Sequence, residues 1–333
     1  MTSIDESAAL AALEVAVRAP SIHNTQPWTW ELGPTGLVLR ADRTRQLAVA
    51  DPDGHSLMLS CGAALHLTAL GLRAQGLAIE TTLLPDSADP DALALFRATG
   101  DASSDEDVVA EVDAALRRRS DRRPFALRTV PDDLVERLQV VANDRDVHVH
   151  VPVREDERID LAVAVSWADR VERDDEAYKA EMNRWLRDPD VHALVDGVPL
   201  GSIPHVPGES PRHADVPLRD FEVGITGKLL IERDVDEKPL IAVVLTDADS
   251  ARDHLAAGRS MMRLMIAAEL AELSTCPLSQ AVDFAAFRSR VQRAMGWVGA
   301  PQMMLRIGYP VAPAGELPRT PRRAPASVLT VRE

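Results

Sequence analysis

The chain is poor in residues that build covalent cross-links and metal centres. Its 333 residues include only two cysteines, Cys61 and Cys276, each isolated in an apolar stretch with no CxxC pair. This pattern argues against a disulfide scaffold and a cysteine-ligated zinc site. His205 and His213 have no cysteine or carboxylate at a metal-ligand spacing, so we expect no metal ion.

Long apolar runs are also missing. No stretch approaches about 18 uninterrupted apolar residues, so no membrane span is predicted. The N-terminal sequence MTSIDESAAL is acidic and lacks the basic and apolar regions of a secretory signal. We therefore expect a cytoplasmic protein.

Aromatic residues make up only 4% of the chain, whereas hydrophobic residues reach 46%. Ala, Val and Leu supply most of this apolar content, which predicts a large core of many small contacts between helices. The length is typical of roughly two domain-sized units or one larger domain.

Acidic residues outnumber basic ones by 52 to 37, and the formal net charge is -15. A surface of this sign repels nucleic-acid phosphates and anionic lipid head groups, so we expect neither as a partner. An anionic ligand would need a local cluster of basic side chains.

The hydropathy pattern alternates between helical and strand-like segments. Helical spacing of apolar residues predicts helices over 7–18, 56–75, 105–118, 132–142, 157–186, 251–273 and 284–295. Strand-like alternation predicts a hairpin over 27–40 and strands over 78–84, 147–153, 238–246 and 302–308. His148 and His150 alternate with valines and are expected on the exposed face of their strand.

Two segments, 62–82 and 258–278, share one pattern. Each begins with glycine on an apolar helix and passes directly into an extended run that contains threonine. This similarity indicates either an internal duplication or chance likeness between two Ala/Leu helices.

The first polar segment whose side chains suit ligand binding is APSIHNTQPW, at 19–28. It follows a helix and offers short side chains and free backbone amides to a polyhydroxylated chain or a heteroaromatic edge. It is equally read as an ordinary connection that satisfies its own backbone. His23, inside this loop, is the histidine that we would test for function.

The second segment is RRRSDRRPF, at 117–125, with five arginines in seven residues. Arginine's planar guanidinium suits phosphate, although such runs are often solvated surface. A third segment, PRTPRRAP at 318–325, is either a frayed tail or a fold-back that completes a phosphate pocket.

Residues 187–227 interrupt the periodic pattern with six prolines and five glycines. An irregular insertion of this length is usually a functional lid or a disordered segment.

Together these motifs resemble flavin-dependent nitroreductases. APSIHNTQPW is similar to their APSxxNxQPW loop, RRSDRRPF to their RRSxRxF segment, and RRAP to their C-terminal phosphate-side arginine. With HSLMLSCGAAL, RIGYP and TPRR, the chain most resembles the Acg group of actinobacterial nitroreductase-like proteins. The resemblance implies an α+β fold with a central, mainly antiparallel sheet.

The order of the motifs departs from the family pattern, in which the arginine motif comes first. Here the loop comes first and the arginine motif later, so each half of the chain has kept what the other lacks. The resemblance then implies a single-chain pseudo-dimer with one flavin site, in which 1–104 form a truncated first half and 105–333 a second half that carries the insertion at 187–227. We expect a monomer, with a dimer left open.

The same resemblance implies an FMN site. Arg118, Ser120 and Arg122, helped by Arg322 or Arg323, are expected at the phosphate and ribityl end. The opposite half is expected to line the isoalloxazine with Pro20, Ser21, Ile22 and Asn24. The stretch after the second long helix, where backbone amides are expected to face flavin N5, comprises Pro277, Leu278, Ser279 and Gln280.

The implied activity is reduction of nitro compounds or quinones with NAD(P)H as electron donor. Since the cofactor supplies the redox chemistry, we assign no catalytic side chain. Two other functions stay open: a flavin-binding or flavin-storing protein whose insertion excludes substrates, and an α/β interaction module without flavin.

Overall fold

The computed structural model describes residues 3–102, 105–188, 190, 195–205, 226–231, 236–312 and 317–332. In these residues the helices are α1 (Glu6–Ala16), α2 (His55–Ala74), α3 (Glu106–Arg117), α4 (Asp132–Ala142), α5 (Glu155–Asp174), α6 (Glu176–Trp185), α7 (Ala251–Leu270) and α8 (Ala285–Met295). The strands are β1 (Trp28–Gly33), β2 (Gly36–Ala41), β3 (Leu77–Leu83), β4 (Ala92–Asp101), β5 (Val147–His150), β6 (Leu186–Arg187), β7 (Val198–Pro199), β8 (Pro204–His205), β9 (Leu229–Leu230), β10 (Leu240–Thr246), β11 (Ser274–Leu278), β12 (Ala300–Gly308) and β13 (Leu329–Val331).

Side-chain caps explain where several helices begin. Asp5 accepts the Ala8 N–H at the start of α1, and Ser250 and Asp253 form a reciprocal capping box at the start of α7. The helices predicted over 157–186 are α5 and α6. They are separated at Asp175, whose carboxylate accepts two backbone N–H groups of α6 and so starts that helix.

The strands form two main sheets rather than one. Their orders are β13-β1-β2-β4-β3 and β11-β12-β10-β5. All pairings in them are antiparallel except that of β13 with β1, which is parallel. The architecture is therefore α+β and mainly antiparallel.

The two sheets repeat one topology. In chain order, β1, β2, β3 and β4 occupy the same relative positions as β5, β10, β11 and β12. In both sets the long helix, α2 or α7, lies between the second and third strand. The extra strand, β13, comes from the end of the second set and joins the first sheet.

The two long helices pack against each other at the centre of the molecule. A Cβ at Gly62 would overlap the Leu255 carbonyl oxygen, and a Cβ at Gly258 would overlap the Leu59 carbonyl oxygen. In each helix, the carbonyl that would be overlapped belongs to the residue three positions before that helix's own glycine. The crossing is therefore close to two-fold symmetric. Glycine is needed at both positions because the helix backbones approach too closely for a side chain.

Within the described part of the chain, α2 is the one helix long and apolar enough to cross a membrane. Most of it is buried inside the protein, against α1, α7 and the first sheet. We therefore assign α2 to the core.

Candidate functional site

A cleft lies where the loop after α1, the segment after α3, the end of β11 and the segment before β13 meet. It encloses about 1300 Å³ of space, including the part open to solvent. Of the residues predicted to bind the cofactor, all except Arg323 line this cleft: Pro20, Ser21, Ile22, Asn24, Arg118, Ser120, Arg122, Pro277, Leu278, Ser279, Gln280 and Arg322.

The loop after α1 is held in a strained conformation. His23, Asn24 and Gln26 have φ values of 44°, 55° and 51°, in the left-handed region that residues other than glycine rarely adopt. The backbone is fixed by the Gln26 N–H, which donates to Ser21 Oγ at 2.9 Å, and the Ile22 N–H, which donates to Ser60 Oγ at 3.2 Å. Strain of this kind persists where the surroundings over-determine the conformation, often at ligand sites.

Asn24 links this loop to two other parts of the chain. Its Nδ2 donates to the Gly197 carbonyl at 2.9 Å and to the Pro321 carbonyl at 3.0 Å. Its buried Oδ1 has no hydrogen-bond partner among the described residues. The side chain therefore positions the cleft wall with its amide nitrogen and leaves an acceptor for a ligand.

Arg118 follows the last residue of α3 and is only 6% exposed. Its Nη2 donates to the Arg18 carbonyl at 3.4 Å. Its Nε and Nη1 are buried, and no acceptor for them exists in the described ranges. Burial lowers the pKa of the guanidinium to about 10, which measures how unfavourably the charge is placed without a ligand.

The C-terminal segment folds back along the cleft and separates the two adjacent arginines. Arg322 Nη1 donates to the Pro321 carbonyl at 2.9 Å and Nη2 to the Ala19 carbonyl at 3.1 Å. Burial, and then the charge of Arg118, lowers the pKa of Arg322 to about 9. Of the two arginines proposed for the phosphate end, Arg322 is thus the one that faces the cleft.

Arg323 points away from the cleft. Its Nη1 donates to the Gln26 and Trp28 carbonyls at 3.4 and 3.3 Å and lies 3.7 Å from Asp42 Oδ2. Its role is to anchor the C-terminal segment to the hairpin. The sequence alone did not show which of Arg322 and Arg323 faces the cleft, because side chains at adjacent positions point in different directions.

Three further arginines at the cleft were missed by the sequence interpretation: Arg18, Arg119 and Arg319. Arg18 immediately precedes the APSIHNTQPW loop, and Arg319 belongs to the same tail motif as Arg322. Their proximity to recognised motifs was the available signal.

The end of β11 contributes another wall of the cleft. Gln280 is fully buried, and neither atom of its side-chain amide has a partner in the structure as described. Burial of such an amide costs free energy unless a ligand supplies its hydrogen-bond partners. Ser279 Oγ lies 3.2 Å from Asp283 Oδ2.

A buried acidic cluster supports this wall from behind. Ser56 Oγ, which also lines the cleft, donates to Asp283 Oδ1 at 3.4 Å. Asp51 accepts the Ser56 and Leu57 N–H groups at the start of α2. Burial raises the pKa of Asp51 to about 7, although these two hydrogen bonds act in the opposite direction. The sequence interpretation missed this cluster because its members are distant along the chain.

Within the insertion, residues 195–205 form a strap beside the cleft. Gln26 Nε2 donates to the Val195 carbonyl at 2.9 Å, and Arg122 Nη1 donates to the Ser202 carbonyl at 3.3 Å. Asp196 forms ion pairs at 2.5 Å with Arg45 and at 2.7 Å with Arg187. Because Val198 lines the cleft, the strap is one of its walls.

The histidines are placed mostly as predicted. His148 is exposed and lies 3.2 Å from Asp247, whereas His150 is partly buried and lies 2.6 Å from Glu157. His23 is buried at the cleft. His205 is in β8, and His213 falls outside the described residues.

One group of side chains has the composition of a metal site: His55, Asp249 and His254. Asp249 accepts from the Arg288 guanidinium at 3.1 Å, and His55 Nε2 is 2.7 Å from Gln302 Oε1. A cation there would face the charge of Arg288. We therefore interpret the group as a buried polar network that joins the starts of α2 and α7.

No family model matches the sequence. Curated relatives match almost all of it. A Mycobacterium tuberculosis protein provisionally named NAD(P)H nitroreductase is 32% identical over 326 residues, which cover 98% of this chain and 92% of the relative. A second M. tuberculosis protein, provisionally named NAD(P)H nitroreductase acg, is 31% identical over 329 residues, covering 97% and 95%.

Solved structures give a weaker likeness. A nitroreductase with bound FMN from Desulfitobacterium hafniense has a TM-score of 0.41 and 12% identity, covering 67% of this chain and 98% of its own. An NADPH:FMN oxidoreductase from Vibrio harveyi complexed with NAD+ has a TM-score of 0.37 and 13% identity, covering 64% and 74%. On the near-complete match to its curated relatives, the chain belongs to the nitroreductase family and to the Acg-like group within it.

Proposed function

We propose that the cleft binds one FMN and that the protein is an NAD(P)H-dependent flavin oxidoreductase acting on small nitro compounds or quinones. One observation carries the proposal. Arg118 and Arg322, which come from distant parts of the sequence, present buried guanidinium N–H groups to a cleft that the APSIHNTQPW loop also lines. Family membership and the provisional names of the relatives support the same assignment.

The unsatisfied polar atoms of the cleft fit the chemistry of FMN. Arg118, Ser120 and Arg322 offer donors for a phosphate, with Arg122 beside them. Charge-assisted hydrogen bonds to phosphate contribute on the order of 1.5–3 kcal/mol each. The Gln280 amide and Asn24 Oδ1 match a ring edge that carries both donors and acceptors.

We propose that the site lies between two degenerate repeats, 1–104 and 105–333. The shared strand order of the two sheets and the near-symmetric crossing of Gly62 and Gly258 support this duplication. Strand β13 is the exception, because it belongs to the second repeat and completes the first sheet. With both sides of the cleft on one chain, the protein needs no second copy to form it, and we propose a cytoplasmic monomer.

Bound FMN would supply hydride transfer, so the chain's own task is binding and orientation. Arg118 and Arg322 would hold the phosphate, and Asn24 holds the loop, the strap and the C-terminal segment in one arrangement. Asp283 fixes the hydroxyl groups of Ser56 and Ser279 at the wall. We assign no side chain to proton transfer.

The strap favours a second candidate, a flavin-sequestering protein with little turnover. Residues 195–205 form a wall of the cleft and are held by Gln26, Arg122 and the two ion pairs of Asp196. A strap fixed in this way would exclude substrates, whereas a strap that opens would act as a lid.

An absorbance spectrum of the purified protein, with and without NADPH under anaerobic conditions, tests both candidates. We expect a yellow protein whose flavin band bleaches on reduction. If the intact protein is yellow but bleaches only after deletion of 190–222 or in the Asp196→Asn variant, sequestration is the function. Absence of flavin after reconstitution with FMN would reject both and favour an interaction module.

A further inference from the structure

The cleft contains more positive charge than one phosphate requires. Six arginines line it: Arg18, Arg118, Arg119, Arg122, Arg319 and Arg322. A phosphate monoester carries about two negative charges near neutral pH. The concentration of arginine is also not a by-product of composition, because the protein as a whole has a net charge of -15.

Five of these arginines form two groups at different depths, and the sixth, Arg122, donates to the Ser202 carbonyl at 3.3 Å. Arg118 and Arg322 make the inner pair, whose buried nitrogen atoms were described above. Arg18, Arg119 and Arg319 form the outer group, in which Arg319 is exposed and the other two are partly buried. The side chains of Arg18 and Arg319 bond to no carboxylate or carbonyl in the portion of the chain that the structure covers.

The outer group is held together against its own repulsion. The pKa of Arg119 is lowered by burial and then by the charges of Arg319 and Arg18. The carboxylate that acts on Arg119 is that of Glu269, which also pairs with Arg117 at 3.4 Å. Arg119 Nη1 also donates to the carbonyls of residues 116–118, so the charges without a hydrogen-bonded acceptor among the described residues are those of Arg18 and Arg319. Like charges gathered in this way favour binding of a further anion.

We propose that Arg18, Arg119 and Arg319 form a second phosphate subsite at the mouth of the cleft, and that it takes the 2′-phosphate of NADPH. The inference rests on the proposed function, since it assigns a ligand that shares the cleft with FMN. Its consequence is a preference for NADPH over NADH. The second phosphate of a flavin dinucleotide carries the same chemistry and is the alternative source.

The test is a calorimetric titration of the FMN-loaded protein with 2′,5′-ADP and with 5′-AMP at low salt. The two ligands differ by the 2′-phosphate alone. We expect 2′,5′-ADP to bind at least about tenfold more tightly, because one charge-assisted bond to phosphate is worth roughly that factor. The Arg18→Ala/Arg319→Ala variant should lose the preference, whereas Arg145→Ala, which removes an exposed arginine after α4, should keep it.

Flavin content, measured by absorbance before each titration, separates this inference from the proposed function. A wild-type protein that takes up no FMN refutes the proposed function. A wild-type protein that is loaded with FMN but binds both nucleotides equally refutes only the second subsite. If the double variant weakens binding of FAD but not of FMN, while 2′,5′-ADP shows no preference, the phosphate belongs to a flavin dinucleotide and the NADPH assignment is wrong.

Discussion

Replacing Arg118 with methionine is expected to change the apo and the flavin-bound protein in opposite directions. The guanidinium is buried with two nitrogen atoms that lack acceptors among the described residues. Each pH unit by which a pKa moves corresponds to about 1.4 kcal/mol, so lowering the pKa from 12.5 to about 10 corresponds to roughly 3 kcal/mol of unfavourable burial. Methionine fills much of the same space without the charge.

We therefore expect the apo Arg118→Met variant to gain about 1–3 kcal/mol in its free energy of unfolding. The loss of the hydrogen bond from Arg118 to the Arg18 carbonyl reduces this gain. The same change removes two donors to the phosphate. At about 1.5–3 kcal/mol each, FMN affinity should fall by a factor on the order of 10² to 10⁴.

Urea denaturation of the apo protein, followed by tryptophan fluorescence, measures the first effect, and flavin fluorescence titration measures the second. Arg117→Met is the matched control, because this arginine ends the same helix but is largely exposed and pairs with Glu269. Apo protein that is destabilised by Arg118→Met, or FMN affinity unchanged within twofold, would refute the reasoning.

Three further outcomes are expected. Gly258→Ala should lower the free energy of unfolding by about 1–3 kcal/mol, because the added methyl group overlaps the Leu59 carbonyl. Gly100→Ala, where the methyl group meets open space, should cost far less. Equal effects of the two substitutions in urea melts would contradict the close helix crossing. Gln280→Leu should leave the apo protein equally or more stable but weaken FMN binding about tenfold, because the unpaired amide disappears; a destabilised apo protein with normal FMN affinity would count against a role toward the ligand. Since the pKa of Asp51 is raised to about 7, the folded state holds a proton that the unfolded state releases near pH 4, so stability should fall as pH rises from about 4 to 7 and then level off. The Asp51→Asn variant should lack this component of the urea midpoint, and an identical pH profile in both proteins would exclude it.

Elements with a local pattern were accessible from the sequence. The spacing of apolar residues predicts α2 and α7 within a few residues, since amphipathic or apolar helices are defined by near neighbours. Strand β4 was missed because its first five residues are all buried, so the alternation that identifies a half-buried strand is absent there. Strand β13 was missed because only its parallel partner β1 defines it.

The residues of the cleft were likewise predictable where a local motif identifies them. The contiguous motifs APSIHNTQPW and RRSDRRPF led to residues that the structure brings together. Arg18 and Arg319 were missed because they meet only after about 300 residues of chain have folded between them. Gln280 was identified from its position after α7, but its unpaired amide depends on tertiary surroundings that no local pattern records.

The parallel pairing of β13 with β1 has a consequence for biosynthesis. Trp30 pairs with Leu329, so the first sheet stays one strand short until about 300 residues have been translated. At a rate of roughly 5–20 residues per second, that interval lasts on the order of 15–60 s. Arg322 emerges in the same late portion as β13, and the nascent chain therefore lacks a complete cleft wall until translation is nearly over. If the cleft binds FMN as proposed, flavin capture belongs to the end of folding, when the last strand docks.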